Sequence, residues 1–179
     1  LNFGNYHNFI LDSAVDISAV GLNVLNANVT LKNNGSAVLS GVTFSGCKEI
    51  GYTTLVDLSG GNTISGCVDT QAITITSEAN FGKLANCTFI NNNRAIKITG
   101  NQSHTGAGWA DPNLTVSGNT YDIEYTGTTN FSIQSANTLS VLNSSTGTLT
   151  IVTPVTQLEV TANIASSDIK IFETGTQTI

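Results

Sequence analysis

The stretch Val42-Thr-Phe-Ser-Gly-Cys47 returns as Asn62-Thr-Ile-Ser-Gly-Cys67, as Cys87-Thr-Phe-Ile-Asn-Asn92 and as Leu114-Thr-Val-Ser-Gly-Asn119. Each copy has Thr, a large apolar residue, one spacer, and then Gly or Asn. Val29-Thr-Leu-Lys-Asn-Asn34 reads as a fifth, weaker copy. The apolar anchors Phe44, Ile64, Phe89 and Val116 are separated by 20, 25 and 27 positions. Self-similarity at such intervals is the mark of a repeat architecture in which each unit buries its apolar face only by stacking on the next. A second alternating run follows the anchors, Ile73-Thr-Ile75, Ile96-Lys-Ile98 and Ile123-Glu-Tyr125, with every other residue directed inward. Each coil therefore holds at least two short strands joined by Asn/Gly turns. The expected fold class is all-β: a parallel β-helix, right-handed by the general rule for parallel crossovers. An antiparallel sandwich is the competing arrangement.

Composition agrees with stacked coils. The chain has 179 residues, 40% hydrophobic and 10% charged, and Asn plus Thr make up about a quarter. Amides and hydroxyls must cover the surface, Thr serving strands and Asn serving turns. The net charge is −6 with six scattered basic residues, so no positive stripe exists for a phosphate backbone and no nucleic-acid partner is expected. No run of 18 apolar residues suggests membrane insertion. With no Met and a final strand-like run, the sequence reads as a processed product or part of a longer polypeptide.

Between about 20 and 127 the repeat, with strands ending in Ser-Gly-Cys or Asn-Asn-Asn, resembles the right-handed parallel β-helix repeat proteins, a group that includes pectate-lyase-like enzymes, phage tailspikes and adhesins. The resemblance implies architecture and is almost silent on activity. Three segments are expected: an N-terminal cap or incomplete coil over 1–20, the parallel β-helix over 21–137, and a β-rich segment over 138–179, either sandwich-like or a further stack. The last contains the strand-like runs Thr148–Val152, Leu158–Val160 and Ile169–Phe172. The phrase from Ser167 to Thr178 resembles segments of structural proteins from environmental phages.

Cys47, Cys67 and Cys87, spaced twenty apart, join Phe44, Ile64, Phe89 and Val116 as a stacked core ladder, with Cys87 offset from the other two. Free Cys packs as a small buried hydrophobe. No close Cys or His pairs suggest a metal, and no cofactor is expected. A Cys47–Cys67 disulfide is compatible with the spacing but not implied by it.

A β-helix enzyme acting on acidic polysaccharides would need clustered carboxylates and a placed Arg or Lys. Asp57, Asp69, Asp122 and Glu124 fall near coil strands, and Arg94 and Lys97 follow an Asn turn. The family signatures Arg-x-Pro-x-x-Arg and Gly-His-Gly with Asp-Asp are absent, so no catalytic residue is assigned. The polar segment 100–113 carries His104, Trp109 and Asp111, candidates for glycan or partner binding. An exposed Trp109 would stack on a sugar or partner; the alternative is that it folds back over the coil edge. Thr74 and Thr76 form the kind of pair found on ice-binding Thr ladders, but that pair does not recur in successive coils.

The leading expectation is a structural protein of a virion or cell surface: a spike, fibre or decoration module, expected as a homo-oligomer such as a trimer, working by assembly and attachment. A polysaccharide lyase or glycoside hydrolase and a glycan-binding adhesin are the alternatives.

Overall fold

A computed structural model of the chain describes residues 1–12, 21–32, 38–52, 55–104 and 108–154. Why the repeat folds is visible at its two ends. The residue before each copy, Gly21, Gly41, Gly61, Asn86 or Asn113, has positive φ, and so does the fifth residue of each, Asn26, Gly46, Gly66, Asn91 or Gly118. Left-handed backbone is open to Gly and tolerated by Asn, which is why the grammar demands those two residue types. Between two such turns sits a three-residue strand with its middle residue inward.

Those strands are β2 (Asn23–Leu25), β5 (Thr43–Ser45), β8 (Thr63–Ser65), β10 (Thr88–Ile90) and β13 (Thr115–Ser117), and they form one parallel sheet, the first face, in that order. Val24, Phe44, Ile64, Phe89 and Val116 are successive partners across it. The fifth copy of the repeat is thus Asn23–Leu25 and not Val29–Asn34. The latter overlaps β3 (Asn28–Lys32) on the next face, because the left-handed residues Gly21 and Asn26 bracket the earlier strand.

The second face comprises β1 (Asn8–Asp12), β3 and β6 (Gly51–Tyr52), continued through an Ile50–Ile73 bridge by β9 (Gln71–Ile75), β11 (Arg94–Ile98), β14 (Tyr121–Tyr125) and β16 (Val141–Asn143). Ile73, Ile96, Ile123 and Val141 stack in register, as do Ile75, Ile98 and Tyr125. The third face holds β4 (Val38–Ser40) and β7 (Asp57–Gly60), then the short helix α1 (Glu78–Gly82), then β12 (Trp109–Ala110), β15 (Phe131–Gln134) and β17 (Leu149–Val152). Every strand pairing is parallel, and the result is a β-solenoid of about six turns.

Parallel pairing joins residues on either side of positions 20 and 137. Asn2 and β1, within 1–20, pair with Leu25 and β3 beyond it, while β16 and β17 extend the parallel pairing past 137. The described part of 138–179 is therefore stacked rather than sandwich-like; the runs Leu158–Val160 and Ile169–Phe172 and the phrase Ser167–Thr178 lie outside the described residues. Coil length explains the unequal intervals. The 25-residue step accommodates α1, which Ser77 caps by accepting from the Asn80 amide, and the 27-residue step accommodates the segment from Gly100 to Trp109.

Candidate functional site

Inward residues settle the cysteines first. Extending the strand register past one turn residue aligns Ala27, Cys47, Cys67, Asn92 and Asn119 in one corner column. At the opposite corner Leu22, Val42, Asn62, Cys87 and Leu114 align. Cys87 thus belongs to a different column from Cys47 and Cys67. All three are free, buried thiols. Burial raises the Cys47 thiol and pushes those of Cys67 and Cys87 up to about 12.

Cys47 and Cys87 do the work that Asn does elsewhere in their columns. Cys47 Sγ donates to the Val24 carbonyl at 3.4 Å, and Asn92 and Asn119 Nδ2 donate to the carbonyls of Ile64 and Phe89, each at 3.1 Å. In the other column Cys87 Sγ donates to Leu58 at 3.3 Å, and Asn62 Nδ2 donates to Leu39 at 2.8 Å. Each side chain reaches a main-chain acceptor of the preceding coil. The amides also accept in return: Val42 N donates to Asn62 Oδ1, Cys67 N to Asn92 Oδ1, and Asn92 N to Asn119 Oδ1.

The carboxylates are engaged in the same inter-coil bonding. Glu124, 3% exposed, accepts from Arg94 Nη1 at 2.7 Å. Asp122, 8% exposed, accepts from Asn119 Nδ2 through Oδ1 and from both the amide and the hydroxyl of Ser140 through Oδ2. The two acids lie two residues apart on β14, within glycosidase range along the strand, about 6.6 Å at an ordinary rise. Both are covered and bonded, so the pair does not open onto a groove. Asp57 caps the Ser59 amide, and Asp69 accepts from the Glu49 amide on another turn. Among the described residues no three His, Cys, Asp or Glu side chains gather as metal ligands.

The segment 100–113 is not a projecting loop throughout. Trp109 opens β12, is 1% exposed, and lies between Phe81 at 5.8 Å and Phe131 at 5.0 Å, so its ring completes an aromatic stack inside the third face and has no free face for a sugar. His104 lies against Ser132, with Nε2 3.3 Å from the hydroxyl, and its Nδ1 is buried without a partner among the described residues. Asp111 holds a corner: Oδ1 accepts from the Leu114 amide, and Oδ2 from the Ser135 hydroxyl and from Asn137 Nδ2. It lines a cleft of about 320 Å³ with Asn113, Gln134, Asn137 and Pro154. Of the three candidates, Asp111 borders an open cavity.

The feature that sequence reasoning passed over is the outward side of the first face. Asn23, Thr43, Thr63, Thr88 and Thr115 form one column, and Leu25, Ser45, Ser65, Ile90 and Ser117 the other. None of the ten is buried and none is charged. The hydroxyls of its Thr and Ser residues make no hydrogen bond to a described residue. The signal was the Thr of the repeat itself; Thr74 and Thr76 lie on and just beyond β9 of the second face, where Thr74 pairs with Lys97 and continues no such column.

No helix among the described residues is long and apolar enough to cross a membrane, which leaves strand-built spans unaddressed. Comparison with known proteins finds no matching family, no matching curated protein and no matching solved structure.

Proposed function

We propose that the chain is a structural module of a virion or cell surface, a spike, fibre or decoration element that works by assembly and attachment and not by catalysis. The observation that carries this reading is that the groups a β-helix hydrolase would expose are used to join coils. Asp122 and Glu124 are bonded to Ser140, Asn119 and Arg94. A further support is the outer edge of β13. It has no strand partner among the described residues, and Asn137 Nδ2 meets the Leu114 carbonyl where the next coil would bond. Open edges of this kind are covered in native assemblies.

Light scattering and native mass measurement of the full chain test the reading. A homo-oligomer, a trimer being the expected state, supports it. A monomer that engages no particle or surface, or turnover of an acidic polysaccharide, overturns it. The cleft beside Asp111 favours a glycan-binding adhesin as a second reading, for which soluble glycans would bind there without being cleaved.

A further inference from the structure

The first face carries two parallel columns of uncharged outward side chains, seven of the ten Thr or Ser and the others Asn23, Leu25 and Ile90, with a fixed geometry. Along a column, neighbours are one rung apart, about 4.8 Å, and across a strand the columns are two residues apart, about 6.6 Å. The partners Thr43, Thr63, Thr88 and Thr115 follow one another with no shift of register. Thr is β-branched and stiff at χ1, so repeated backbone geometry repeats the position of both hydroxyl and methyl. The scaffold is rigid because each rung is bonded to its neighbours and the corners are tied by Asn62, Asn92 and Asn119.

From this geometry we propose that the first face binds ice. Oxygen positions on the faces of hexagonal ice repeat on a scale close to both spacings, so an array of hydroxyls and methyls held at these intervals matches an ordered water layer. The hydroxyls are not engaged by any described residue, and none of the ten side chains is charged to organise water in a competing, ion-centred shell. Because the order is built into the fold, binding loses little side-chain entropy, and the cost of fixing each water, up to about 2 kcal/mol, is spread over the array.

Other occupants fit less well. Four rung spacings by the width of a three-residue strand span about 19 by 10 Å, a few hundred Å² at most, against about 800 Å² per partner for a stable protein interface. A sugar surface would call for aromatic rings or carboxylates, and the face has neither. This site goes beyond the assembly reading and is independent of it: an oligomer exposing this face would bind ice, and so would a monomer.

The test is ice-crystal growth in the presence of the full chain, read as thermal hysteresis, crystal shape and inhibition of recrystallisation. The expected result is faceted crystals with a measurable hysteresis gap, lost in Thr63→Lys and reduced in Thr63→Val. Thr150→Lys, exposed on β17 of the third face, should leave it unchanged. If Thr63→Lys lowers the folded fraction by circular dichroism, Thr115→Lys on the exposed end rung carries the same comparison. Round crystals without hysteresis overturn the proposal. So does activity that Thr63→Lys and Thr115→Lys leave intact, or a dimer that Thr63→Lys splits.

Discussion

The corners and the first face of this solenoid are built from the same small polar residues used in opposite ways. At the corners, Asn62, Asn92 and Asn119 sit inside the coil wall and each joins one coil to the next through both amide atoms. On the face, Thr43, Thr63 and Thr88 open the short strands that these corners flank, and their hydroxyls make no hydrogen bond to a described residue. The difference teaches that burial, not residue type, decides what a polar group contributes. A buried amide or carbonyl left without a partner costs its own full desolvation, whereas an outward hydroxyl is already satisfied by water.

The most severe way to probe the contrast is at Asn62, which is fully buried and serves Val42 N and the carbonyls of Leu39 and Leu58. Asn62→Ala strands at least one donor and one acceptor, and is expected to cost about 3 kcal/mol in urea unfolding. A loss below about 1 kcal/mol would mean that the corner is not the stabilising element.

Thiols at the corners offer a milder probe through pH. An unfolded thiol ionises near 9.0, while Cys67 and Cys87 hold their protons to about 12. Between those values the folded state binds more protons, so stability is complete below pH 9.0 and falls as pH rises towards 12. The slope should be roughly 1 kcal/mol per pH unit per thiol, and Cys67→Ala should flatten it. Unfolding curves at two alkaline pH values decide the matter, and equal slopes in the parent and the variant would contradict it.

The smallest effect belongs to the face. Thr43→Val keeps the β-branched shape and removes a hydroxyl with no protein partner, so stability should change by less than about 0.5 kcal/mol. Should it rival Asn62→Ala, the distinction between corner and face collapses.

Much of this is legible in the sequence alone. The Thr-apolar-x-Gly/Asn grammar located four of the five first-face strands, because period-two burial and left-handed turns each restrict residue choice. The ladders Phe44 to Val116 and Ile73 to Ile123 appeared at their true register for the same reason. The third face was opaque. Its coil-to-coil partners are a helix, a two-residue strand and a four-residue strand, so Trp109, flanked by Gly108 and Ala110, gave no alternation by which to recognise an inward residue. Equally hidden were Arg94 with Glu124, thirty residues apart, and Asp111 with Ser135, twenty-four apart.

By itself, then, the sequence determined the rung: where the chain turns, which side chains face inward, and that coils must stack to bury them. Only the tertiary structure decided how those rungs align, and with it which polar groups are consumed in holding coils together and which remain outward in rows. The physical reason is that turn preference and alternation are local properties of the chain, whereas a column is a property of neighbours 18 to 30 residues apart, set by register and by the unequal excursions between strands.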